Sequence, residues 1–121
     1  MKLSERAYEH AKELIRAGHA VHDDRDDWSE HQPSAAEENS FIAEHGMAEY
    51  GKWHLGIDES AAPETKRRYR FPYGDFKDVH RCAVLSAESR AGQYKHEAVK
   101  SAAAHLHGML DASRQPPRAG R

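Results

Sequence analysis

Residues 67–92, RRYRFPYGDFKDVHRCAVLSAESRAG, change their hydrophobic period midway. Over Arg67–Phe71, Tyr69 and Phe71 fall on one side and Arg68 and Arg70 on the other, which is the period-two pattern of a half-buried strand. Pro72-Tyr73-Gly74 then turns the chain. Beyond it Phe76, Val79, His80, Ala83, Val84 and Ala87 recur on one helical face. Asp75 has N-cap chemistry and Asp78 would sit at the positive end of the dipole, so the pattern predicts a helix from Asp75 to about residue 90, stopped by Gly92.

Upstream, Lys52–Ile57 (KWHLGI) alternates large apolar residues at Trp53, Leu55 and Ile57 with polar or small ones, and should pair with the Arg67–Phe71 strand as an antiparallel ribbon. Downstream, Val99, Ala102, Ala103, Leu106, Met109 and Leu110 mark a helix over about 96–112, which should fold back on its predecessor. Abundant alanine lets two such helices approach closely. Toward the N-terminus, Ser4 and Gly18 bracket an amphipathic helix of about 5–17, and Ser34-Ala35-Ala36-Glu37 is a capping box opening a helix of about 35–45 that Gly46 ends. Between them His19–Pro33 reads as a loop with one helical turn near Trp28. The fold class is α+β: about four helices, a two-stranded antiparallel ribbon and a C-terminal helical hairpin. One small Ala-rich domain, 1–112, is followed by a basic tail, 113–121, whose two prolines and three arginines predict disorder.

Composition limits the possibilities further. Leu, Ile, Val and Phe make up only 16 of 121 residues, against 19 Ala, so any core is thin. No apolar run is long enough for a membrane span, no secretory leader is recognisable, and one cysteine, Cys82, excludes an internal disulfide and any Cys-pair zinc site. A soluble, cytoplasmic protein is expected. Charge is divided: residues 1–65 sum to −9 and residues 66–121 to +7, within a net charge of −2.

The stretches DDRDDWSEHQPSA, EYGKWHLGID, RYRFPYGDFKDVHRCAVLSAESRAGQYKH and AAAHLHGML, over about residues 20–111, resemble a family of small uncharacterised actinobacterial proteins. FPYGDFKDVHRCAVLSAESRA is more faintly similar to helical segments appended to phage capsid-maturation proteases. Neither resemblance implies an activity or assigns a residue a role, and the protease's catalytic domain has no counterpart here.

The basic ribbon is the main functional candidate. With Trp53, Leu55, Ile57, Tyr69 and Phe71 turned inward, pleating leaves Lys52, His54, Arg68 and Arg70 on the solvated face, with Lys66 and Arg67 at its end. Like charges across strands repel, so an anion should cover them. The acidic half of the chain could do so. So could phosphate oxygens, making Lys52, Lys66, Arg67, Arg68 and Arg70 an anion-binding surface for nonspecific nucleic acid or an acidic protein. The expected function is therefore a non-enzymatic binding module without a cofactor. Two alternatives stand beside it: a His/Asp metal site at His19, His22 and Asp23, and a homodimeric interaction module whose acidic and basic halves complement each other. Ten histidines motivate the metal reading. His80 is read as a core or interhelix residue and Cys82 as packing, because two residues apart on a helix their side chains diverge. Neither G-x-S-x-G nor a phosphate-binding glycine loop occurs.

Overall fold

A computed structural model describes residues 1–113 and is α+β. Its helices are α1 (Glu5–Arg16), α2 (Trp28–His31), α3 (Ala35–His45), α4 (Met47–Gly51), α5 (Arg81–Gln93) and α6 (Glu97–Ser113). Its strands are β1 (Lys2–Leu3), β2 (Ala20–Val21), β3 (His54–Ile57), β4 (Tyr69–Pro72) and β5 (Val79–His80). The expected ribbon is present, with Gly56 opposite Arg70 and Ile57 opposite Tyr69, but β1 adds a third antiparallel strand against β3. No helix among the described residues is long and apolar enough to cross a membrane. Ser113 ends α6, and the rest of the expected tail lies outside the described residues.

Local chemistry explains several helix ends. Ser4 caps α1 through its hydroxyl, which accepts from the Ala7 amide. At the other end Gly18, at φ 86°, occupies the left-handed position of a Schellman turn, closed by the His19 amide on the Leu14 carbonyl at 2.8 Å. The capping box forms, Ser34 and Glu37 each satisfying the other's amide. α5 ends in a second Schellman turn, with Lys95 rather than a glycine at φ 61°; Gly92, expected as the stop, lies inside the helix.

α5 and α6 pack as the expected hairpin. Ala83, Ala87 and Ala91 of α5 and Val99, Ala103 and Leu106 of α6 are all buried in the core. Ala7, Ala11 and Ile15 of α1 join the same core, as do Leu55, Tyr73 and Val79. Alanine at the helix contacts puts backbones close together, so a modest number of large side chains suffices to exclude water.

The start of α5 departs from the sequence reading. Asp75 does cap, but what it caps is a turn: its Oδ1 accepts from the amides of Lys77 and Asp78 at 3.0 and 2.8 Å, with Phe76 at φ 74°. Val79 and His80 then run extended, because the Val79 amide donates to the His19 carbonyl and the His80 amide to the Tyr73 carbonyl, both at 3.0 Å. The result is β5, parallel to β2, with Ala20 opposite Val79 and Val21 opposite His80. The helix begins only at Arg81.

Candidate metal centre

That parallel register builds the site. Val21 opposite His80 brings Asp23, two residues on, beside Cys82, two residues on, and the Cys82 amide donates to Asp23 Oδ1 at 2.7 Å. Asp23 Oδ2 remains, and it meets His80 Nδ1 at 2.7 Å and His31 Nδ1 at 2.8 Å. His31 arrives on α2, whose Trp28 ring lies 5.7 Å from the His80 ring. Cys82 Sγ stands 3.8 Å from His31 Nδ1. One donor atom from each of Asp23, His31, His80 and Cys82 thus lies within 4.8 Å of all the others.

Three of the four members of the cluster are buried. Cys82 is buried, the side chains of Asp23 and His80 are nearly so, and His31 is the exposed member. Burial pushes the Asp23 carboxyl up, but the Cys82 amide, His80, the Cys82 thiol and His31 together hold it at about 2. For His80, burial favours the neutral ring, yet hydrogen bonds and charge from Asp75 and Asp23 raise its affinity for a proton. Cys82 moves the same way as His80: burial and the neighbouring Asp23 and Asp27 keep the thiol protonated. A reactive, low-pKa thiolate is therefore not what this environment makes.

The donor set suits a tetrahedral ion. Zinc bonds nitrogen and oxygen at about 2.0 Å and sulfur at about 2.3 Å, so neighbouring donors around it stand roughly 3.3–3.6 Å apart. The Asp23–His31 and Asp23–His80 edges, at 2.8 and 2.7 Å, are shorter by about half an ångström, the spacing of hydrogen bonds drawn across the centre. Outer partners are already in position: Asp75 Oδ2 lies 2.9 Å from His80 Nε2, and the Cys82 amide holds the second oxygen of Asp23. Carboxylate-backed imidazoles of this kind fix the ring orientation that a metal requires.

Several expected site residues lie elsewhere. Asp23 belongs to the cluster, but His19 Nδ1 is 3.7 Å from Asp78 and His22 Nε2 hydrogen-bonds Ser113 Oγ at 2.9 Å. A helix running through both residues would drive the His80 and Cys82 side chains apart; here His80 is the extended residue before the helix, so both face Asp23. His31 carried no sequence signal of its own. The signal that could have found the pair is the H-x-C spacing, which points both side chains one way wherever the backbone is extended.

The basic face is also rearranged. Lys52 caps α4 instead of joining a strand, and its Nζ pairs with Glu49 at 2.9 Å. Lys66, Arg67 and Arg68 form a 3-10 turn, in which Lys66 pairs with Glu38 at 3.1 Å and Arg68 donates to the Ala61 carbonyl. His54, expected on the solvated face, is 4% exposed, because β3 is the central strand of three and is covered on both sides. Arg70 alone of the five cations stays on a strand and exposed. Comparison of the chain with family models, with curated proteins and with solved structures gives no match.

Proposed function

We propose that this protein binds one transition-metal ion, zinc fitting best, through Asp23, His31, His80 and Cys82. The observation that carries the reading is the convergence of four ligand-type atoms, from three separate segments, within 4.8 Å of one another. A thiol, two imidazoles and a carboxylate suit zinc, and nickel or copper less closely; magnesium and calcium prefer all-oxygen sets. Four protein ligands make a closed site, the pattern of structural zinc rather than of a hydrolytic centre that keeps a position for water. The ion would tie the Asp23 loop and α2 to the start of α5.

The exposed edge of the cluster gives the ion a route in. His31 and Asp75 border an open cleft of about 540 Å³, which Phe41, His45 and Phe76 also line. Elemental analysis of tag-free protein tests the reading. One zinc per chain is expected, falling to near zero in H80A and C82S. Cobalt in its place should give a tetrahedral visible spectrum whose thiolate charge-transfer band disappears in C82S. Metal content far below one per chain, or content unaltered by either substitution, removes the proposal.

A further inference from the structure

A second cleft, of about 360 Å³, lies between β4 and the end of α5. Arg70 and Arg90 both line it and both are exposed; neither side chain makes a hydrogen bond or salt bridge to another described residue, and the Arg70 guanidinium acts on Asp58 only through space. Glu38, which also lines it, is already engaged by Lys66 at 3.1 Å and by the Tyr50 hydroxyl at 3.4 Å. The cleft therefore carries positive charge that no hydrogen-bonded carboxylate neutralises. Its walls are aromatic: Tyr69, Phe71 and Tyr94 contribute, and the Tyr94 ring is exposed.

The buried wall is His54. Its Nδ1 lies 2.9 Å from the Tyr50 carbonyl oxygen, which can only accept, so that nitrogen carries the proton. Nε2 is then a hydrogen-bond acceptor, and no described residue donates to it. An unsatisfied acceptor on a side chain this buried calls for a partner from outside the chain. The same ring borders a void of about 20 Å³, enough for one water, which is the competing occupant.

We propose that this cleft binds a small planar acid bearing a hydroxyl or N–H group, with its acid group on Arg70 and Arg90, its ring against Tyr69 and Tyr94, and its donor on His54. An aromatic hydroxy acid is the simplest member of the class. A volume of 360 Å³ is in the range of small-molecule sites. Guanidinium forks match a carboxylate in two-point contact, and a buried acceptor rejects analogues that lack the donor. The site is separate from the metal centre and does not depend on it.

The test uses the full chain, with histidine rings labelled for NMR, and three probes: 4-hydroxybenzoate, benzoate and 4-hydroxybenzamide. Saturable binding of 4-hydroxybenzoate that shifts the His54 ring resonances is expected, with benzoate and the amide each weaker by roughly tenfold or more. R70S/R90S, altered only at exposed positions, should keep its circular dichroism and lose binding to a similar degree. H54N retains a donor for the Tyr50 carbonyl but has no Nε2, so it should bind benzoate and 4-hydroxybenzoate alike. Absence of saturable binding at about 10 mM, equal affinity for all three probes, or unchanged affinity in R70S/R90S overturns the proposal. So does a His54 ring that no probe shifts, which would leave water as its partner.

Discussion

His54 should make the fold sensitive to mild acid. Burial holds its pKa near 4 in the folded protein, against an ordinary value of 6.5, with the hydrogen bond to the Tyr50 carbonyl opposing only in part. Between pH 6.5 and 4 the unfolded chain takes up a proton that the native ring refuses, so this residue costs stability as pH falls through that window and nothing above it. Going from pH 7.5 to 4.5 the loss amounts to about 2.5 kcal/mol from two and a half pKa units. The groups around the ring do not reverse the sign: Glu38 is neutralised by Lys66, while Arg70, Arg90 and His96 share the cleft wall, and the arginines oppose a positive imidazolium. Urea unfolding of the native sequence and of H54N, at both pH values, measures the effect. Other titrations are common to both proteins, so the stability of the native chain relative to H54N should drop by about 2.5 kcal/mol on acidification. A difference that stays constant within about 0.5 kcal/mol, or a ring that titrates near 6.5 by NMR, refutes the reasoning.

Zinc at a hundred times its dissociation constant should stabilise the fold by about 2.7 kcal/mol, seen as a rise of roughly 10 °C in Tm that chelator reverses and that H80A lacks. Without metal, Asp23→Ala should cost about 3–5 kcal/mol in urea unfolding, because it strips the His80, His31 and Cys82 amide donors of a buried carboxylate. Gly74→Ala would set a Cβ 2.4 Å from the Asp78 carbonyl and 2.7 Å from the Trp53 ring; a loss of at least about 1–3 kcal/mol in chemical denaturation is expected, with weakened zinc uptake as the Asp75 turn shifts. Ser34→Ala should cost about 0.5–2 kcal/mol, read as faster hydrogen exchange at the start of α3, which buries no residue fully and so leans on its cap.

The elements legible in the sequence are those long enough to show a period or bounded by side-chain caps. α1 and α3 announce themselves through Ser4, Gly18 and the Ser34–Glu37 box, and α6 through its Val99–Leu110 stripe. β1, β2 and β5 have two residues each, too few to carry any period, and their partners lie far away in the chain. β5 also overrode a fair helical pattern. Val79 and His80 fit the apolar face of a helix, but two backbone hydrogen bonds, to His19 and Tyr73, pull them extended. That local override hid the site. Once His80 is extended, the two-residue step to Cys82 brings the side chains together on Asp23, whereas the assumed helix drove them apart. Asp23 itself was legible as a carboxylate in a histidine-bearing loop; which histidines it meets depends on β2 pairing with β5, and nothing local encodes that.

What a metal in this cluster would do follows from where the core is thin. α2 and α3 contribute no fully buried residue, and α3 meets the body through Phe41, stacked on Phe76 at 4.3 Å, and through Glu38, paired with Lys66. Apolar burial can therefore contribute little to ordering the segment between β2 and α4, while fixing each backbone residue costs about 1–2 kcal/mol. Small folds short of apolar area commonly make up the difference with a metal or disulfides, and one cysteine leaves no disulfide within the chain. Asp23 and His31 lie at the start of that segment, and His80 and Cys82 lie where the well-packed α5 begins. A metal bridging those pairs would convert binding energy into order in the part of the molecule with least packing to supply it. The consequence is spatially specific: on metal removal, hydrogen-exchange protection should fall first in α2 and the Asp23 loop, with the α5–α6 hairpin retained. Uniform loss across both regions would mean that the cluster stabilises the whole fold and has no particular task in holding the loop.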